Sequence, residues 1–229
     1  MKLLSICCAL CCLLQLRSQD RPFGRNFEFG LMISPEFATG IRGLSNRDRL
    51  MFVGEVEPNV KPLPYSYAAG LLFRLPLRGT FSFQTGMQYT RMGYRIYQER
   101  SHSNPDPLAF KKTYSTYHYL GVPLKLIWSP ESQKTTSMQF SAALNVNRMV
   151  GKVRKTNYTF EDEIVKTTDR PRSYWNINPC LGWGIQKEFN ENNKLLIETV
   201  FQLGLLPVNY SSPRHLMNLG LNVAWFHNL

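Results

Sequence analysis

Four charged side chains, Glu28, Arg74, Lys125 and Glu198, stand in segments whose residues alternate in polarity, each on the less apolar parity of its segment. Two carboxylates, a guanidinium and an ammonium sum to zero charge. Neutrality is what a narrow interior demands, because an unpaired charge removed from water is costly. The pattern predicts a structural ion-pair network; the functional alternative for the same groups is a proton or ion path. The histidines offer less. His102, with Asp106 nearby, has a spacing that could serve a hydrolase or acyltransferase at a loop rim, whereas His118, His215 and His227 have no Ser, Cys or carboxylate at readable spacing. Cys180 is a lone thiol on the polar parity and reads as a small buried filler. No catalytic, cofactor-binding or metal-ligating residue is expected.

The elements that carry these groups are strands. "TFSFQTGMQYTRMGY", residues 80–94, places Phe81, Phe83, Met87 and Tyr89 on one parity and Ser82, Gln84, Gly86, Gln88 and Thr90 on the other. About eight such segments lie near 26–38, 65–75, 80–97, 114–128, 137–150, 173–188, 194–206 and 214–227. The connections alternate in length: long at 39–64, 98–113 and 151–172, short at "PLRG", "SPESQKTT" and "FNENN". Short turns at one end and long loops at the other are the build of an outer-membrane barrel.

Which solvent the apolar parity meets decides the class. In a soluble sandwich the polar face is charged, whereas here it reads Ser66, Ala68, Gly70, then Ser141, Ala143, Asn145, Asn147, then Asn176, Asn178, Gly182, Gly184. Small uncharged groups suit a crowded lumen, so the large apolar groups face lipid. Aromatics gather at segment ends as two girdles: Tyr65, Tyr67, Tyr94, Tyr97, Tyr114, Tyr117, Tyr174 and Trp175 beside long loops, and Phe27, Phe81, Trp128, Phe189, Trp225 and Phe226 beside short turns or termini. Pro123 and Pro179 fall inside strands with two neighbours, where a bulge or a missing bond is expected.

The chain opens with Lys2, an apolar run Leu3 to Leu14 and "QLRSQD", the layout of a secretory signal peptide cleaved between Ser18 and Gln19. Residues 1–18 are then the signal and 19–229 one barrel domain. Removing Lys2 and Arg17 from the 27 basic residues leaves 25 against 16 acidic, a net charge of +9. No nucleic-acid recognition motif accompanies that charge, and an exported chain meets anionic lipid first. The mature sequence keeps one cysteine, so packing and strand pairing alone hold it together.

"YHYLGVPLKLIW" (117–128), "FEFGLMISPEF", "GMQYTRMGY" and "CLGWGIQKEF" together resemble the PorT-like outer-membrane β-barrel family of Bacteroidetes. Tyr119, Leu120, Val122, Pro123 and Leu124 match the family's Tyr-Leu-acidic-Ile-Pro-Leu strand, with Gly121 in place of the acidic residue. The chain ends "AWFHNL", which leaves Trp225 or Leu229 as assembly signal where many relatives end in Phe. The resemblance implies no catalytic residues or cofactor and, through the family's namesake, a link to type IX protein secretion.

The reading is an all-β, eight-stranded antiparallel up-and-down transmembrane barrel in the bacterial outer membrane. It is a non-enzymatic anchor or assembly factor, with outer-membrane lipid and lipopolysaccharide as neighbours and other envelope or secretion proteins as loop partners. The alternatives are a barrel enzyme acting on lipid or surface protein, and a small-ligand-binding barrel.

Overall fold

The computed structural model describes residues 27–42, 60–77, 80–98, 111–130, 135–158, 164–169, 175–206 and 214–229. The signal segment with its Ser18/Gln19 boundary, and His102 with Asp106, lie outside the described residues. The described chain forms strands β1 (Glu28–Arg42), β2 (Val60–Pro76), β3 (Phe81–Gln98), β4 (Lys111–Trp128), β5 (Thr136–Tyr158), β6 (Ile164–Asp169), β7 (Trp175–Asn190), β8 (Asn193–Leu203) and β9 (Arg214–Asn228). Every pairing is antiparallel, and eight of the nine close a ring in the order β1, β2, β3, β4, β5, β7, β8, β9 and back to β1.

The stagger of that ring follows from its register. A walk across paired Cα positions starts at Glu28, passes Arg74, Gln84, Lys125, Ala143, Cys180, Gln202 and Asn218, and returns at Ala38, ten residues further along β1. With a rise of about 3.3 Å and a strand spacing of about 4.8 Å, this stagger tilts the strands roughly 40° from the axis. So narrow a ring is filled by its own side chains. Both described chain ends lie at the short-turn end, where Glu28 pairs with Asn228 and the Leu229 amide donates to the Phe27 carbonyl at 2.9 Å.

The apolar parity is the exposed one. Ile33 is 63% exposed and Leu181 66%, whereas Asn147 and Glu198 are each 1% exposed. A polar inside and an apolar outside invert the order of a water-soluble protein, and only a lipid surround makes that order favourable. Phe81, Trp128 and Phe140 form part of the aromatic girdle at the short-turn end, with Trp128 and Phe140 centroids 5.6 Å apart.

Several expectations need correction. The stretch 151–172 is not simply a loop, because β5 runs to Tyr158 and β6 folds back on it, pairing Lys152 with Asp169 through Asn157 with Ile164. The cause is Val150: β4 pairs His118 with Gly151 but Tyr119 with Met149, so one residue of β5 bulges and the alternation changes phase there. Neighbouring strands also extend further toward the long-loop end than the apolar pattern, β1 to Arg42, β2 from Val60 and β4 from Lys111. Tyr94, Tyr117 and Phe226 are not girdle residues; all three point into the lumen and are at most 1% exposed. At the prolines the bulge alternative fails, since neither shifts the register, while the missing-bond alternative holds at Pro123. Beside Pro123 the β3–β4 ladder skips from Gln84↔Lys125 to Gln88↔Gly121, and Pro179 lies just beyond the first β7–β8 pair at Cys180. The register instead slips in β2 between Pro62 and Tyr67, where Tyr65 adopts the left-handed region at φ 66°.

Candidate functional site

The tilt of the ring brings lumen-facing residues from distant strands to one level. Arg74 of β2, Gln84 of β3 and Gln186 of β7 meet near the short-turn end. Arg74 Nη1 donates to Gln186 Oε1 at 2.5 Å, while Nε and Nη2 donate to Gln84 Oε1 at 3.3 and 3.1 Å. The guanidinium also lies 3.5 Å from Glu28 Oε2 and rests over Phe226, 4.0 Å from its centroid. Glu28 has a second cation, Lys194, at 2.9 Å, and Lys194 in turn reaches Glu188 at 3.1 Å. Charge therefore alternates in sign from Arg74 to Glu28 to Lys194 to Glu188.

One layer further in, Lys125 of β4 forms an ion pair with Glu198 of β8 across the lumen. Ser141 Oγ donates to Glu198 Oε1 at 2.5 Å, and Asn222 Nδ2 donates to Oε2 at 3.1 Å. The carboxylate therefore accepts from three side chains. Such saturation offsets the desolvation of a fully buried anion and leaves little acceptor capacity for a substrate. Gly182 is required here: a Cβ at that position would meet both Glu198 Oε1 and Ser141 Oγ.

Above the pair, Asn145 Nδ2 donates to Gln202 Oε1 at 3.0 Å, and the buried Cys180 thiol points to the Asn178 carbonyl at 3.3 Å. At the long-loop end the lumen turns apolar. Ala38, Val60, Met92, Tyr94, Tyr117, Tyr119, Met149 and Leu216 pack into one cluster, with the Tyr94 and Tyr117 hydroxyls 3.3 Å apart. The interior is thus a charged floor under an aromatic ceiling.

The structure places Glu28, Arg74, Lys125 and Glu198 together in the lumen as two linked groups. The sequence reading missed Lys194, Glu188 and Glu36, the last a lumen-parity carboxylate of β1 opposite Gly220 whose Oε2 is buried. Parity could have found two of them: Lys194 is two strand steps from Glu198, and Glu36 shares the parity of Glu28. Of the motif residues, Leu120, Val122 and Leu124 face outward, while Tyr119 is buried in the lumen cluster. Between them, a side chain at Gly121 would collide with Asn147. His118 Nδ1 lies 2.5 Å from the Tyr89 hydroxyl, His215 Nδ1 3.0 Å from the Gly204 carbonyl, and His227 Nδ1 3.0 Å from Asn193 Oδ1. These partners are two hydroxyl or amide groups and a backbone carbonyl, not a carboxylate.

The sequence profile of the family described as outer membrane protein beta-barrel domain matches residues 18–209. No curated protein is similar in sequence. Among solved structures, Neisserial surface protein A is 13% identical with a TM-score of 0.43, covering 86% of this chain and 95% of its own. The attachment invasion locus protein Ail of Yersinia pestis is 8% identical with a TM-score of 0.36, covering 88% and 99%. The outer-membrane protease OmpT of Escherichia coli is 7% identical with a TM-score of 0.46, covering 89% and 97%.

Proposed function

Because this chain belongs to the outer membrane protein β-barrel domain family and sits in the bacterial outer membrane, we propose that it is a non-enzymatic anchor or assembly factor of the PorT-like kind, linked to type IX protein secretion. The observation that carries this reading is the filled lumen. The Lys125–Glu198 pair bridges the ring from β4 to β8 and the Tyr94–Tyr117 cluster packs above it, so transport through the barrel is disfavoured. What the barrel offers instead is its long-loop end, where β5 and β6 carry the sheet beyond the ring; on this reading that hairpin is the docking surface for other envelope proteins. Engagement of His118 by Tyr89 and of His215 by a backbone carbonyl supports the non-enzymatic part. Planar-bilayer recording tests the plug: the folded protein should give no discrete conductance steps, and a steady channel would overturn the anchor reading. Deletion of the chain tests the secretion link. Cargo should accumulate in the periplasm, and unchanged export would remove type IX secretion from the reading.

A further inference from the structure

On the outward parity of β3, the lipid-facing series Phe81, Phe83, Met87 and Tyr89 continues upward as Arg91, Arg95 and Tyr97. Tyr89 is part of an aromatic belt: its ring lies 6.1 Å from Tyr67 and 6.0 Å from His118. Arg95 is six residues further along, about 15 Å higher on the axis at the tilt derived above. Facing away from the barrel and starting with Arg91 two residues above the belt, the series runs from the headgroup level of the outer leaflet into the glycolipid layer above it.

The side chains at that height are basic and gathered on one wall. The Tyr97 ring has Lys61 Nζ 5.0 Å, Lys112 Nζ 5.1 Å and Arg95 Cζ 5.6 Å from its centroid, and Lys112 Nζ is also 5.6 Å from the Tyr114 centroid. Strand pairing extends the row, Lys61 opposite Arg95, Arg95 opposite Tyr114, and Tyr114 opposite Lys155. Among the described residues no carboxylate side chain lies on this face. The Nε atoms of Arg91 and Arg95 are buried without an acceptor. Three cations around one ring repel one another, so the arrangement favours a bound anion. On β1, β7 and β9 the outward residues near the long-loop end include Phe37, Ile41, Trp175, His215 and Met217, with no Lys or Arg among the outward side chains described at that end of those strands; the neighbouring outward cation is Arg148 of β5, paired with Trp175.

We infer that the outward face formed by Lys61, Arg91, Arg95, Lys112 and Lys155 with Tyr97 and Tyr114 binds the phosphates of outer-leaflet glycolipid headgroups. This rests on the reading that the ring is embedded in the outer membrane. A planar guanidinium matches two phosphate oxygens, ammonium groups add point charge, and the tyrosines sit against the sugar and headgroup layer.

The test uses the full chain folded into nanodiscs of neutral phosphatidylcholine, titrated with diphosphoryl lipid A. The combined variant Lys61→Gln, Arg95→Gln, Lys112→Gln should bind on the order of a hundredfold more weakly. Lys187→Gln, which removes a cation at the short-turn end, should bind as the unaltered chain does. Dephosphorylated lipid A should lose the interaction, and inorganic phosphate should compete poorly. Equal binding by the combined variant, equal binding of dephosphorylated lipid, or displacement by inorganic phosphate at matching affinity would each overturn the site, the last by assigning it to soluble anions. If the combined variant does not fold, Lys112→Gln alone carries the test, with about fivefold weaker binding expected. Heat-modifiable migration separates the two levels of failure. A folded barrel indifferent to lipid A sinks this site alone, whereas no heat-modifiable form of the unaltered chain sinks the membrane reading and the site with it.

Discussion

The two ends of the lumen are filled by opposite means. Near the short turns, Glu28, Arg74, Lys125, Lys194 and Glu198 are held in ion pairs and amide hydrogen bonds. Near the long loops, Met92, Tyr94, Tyr117, Tyr119 and Met149 pack as a protein core normally does. The charged end is directional: each partner sits at a fixed register, and a missing partner leaves an uncompensated charge. The aromatic end is tolerant of identity and sensitive to volume. The lesson is that filling a barrel and fixing its register are separable tasks, the first done by bulk and the second by charge.

Breaking one partner of the central pair gives the largest expected effect. Glu198→Leu leaves Lys125 buried and unpaired and should cost about 3–5 kcal/mol in urea unfolding from vesicles, while adding Lys125→Met should restore most of the loss. A double variant no better than the single one would show that bulk, not charge, matters there. At the aromatic end, Tyr117→Ala should cost about 3 kcal/mol through lost contacts and a cavity, with Tyr117→Phe close to neutral because the Tyr94 contact at 3.3 Å is a weak bond. If Tyr117→Phe proved as damaging as Tyr117→Ala, the ceiling would be a polar network and the contrast would fail. Gly182→Ala places a methyl against Glu198 and Ser141 and should cost about 2 kcal/mol in the same assay. The smallest effect is expected outside the lumen, where Tyr89→Phe removes the hydroxyl 2.5 Å from His118 and should cost about 1 kcal/mol or less.

Much of the fold was legible because lipid and lumen impose opposite chemistry on alternate residues. Ile33, Met87, Leu124 and Leu181 declare one face, and Gln84, Asn145 and Asn178 the other. The pattern becomes unreadable where both faces of a strand leave the membrane. The tip of β5 carries Lys152 and Arg154 on one side and Lys155 on the other, so neither parity is apolar and the hairpin with β6 reads as a loop. Tyr94, Tyr117 and Phe226 were misplaced for a related reason: an aromatic near a strand end suits an interfacial girdle and a wide lumen mouth equally, and only register separates them. Glu28, Arg74, Lys125 and Glu198 stood out as isolated charges in apolar surroundings. Lys194 and Glu188 lie in a polar stretch around the "FNENN" turn, where two more charges attract no notice.

The seam between β1 and β9 has a consequence for how the protein forms. Glu28 and Asn228 are adjacent across the ring yet 200 residues apart in the chain, and thirteen residues of β1 from Glu28 to Arg42 find partners on β9. Every other junction in the ring joins strands that follow one another or skip only β6. A growing sheet can therefore zip hairpin by hairpin while keeping two raw edges, and those edges vanish together in one final, long-range event. Maturation should be all-or-none at that step, with the unclosed sheet exposed to aggregation until its last strand arrives.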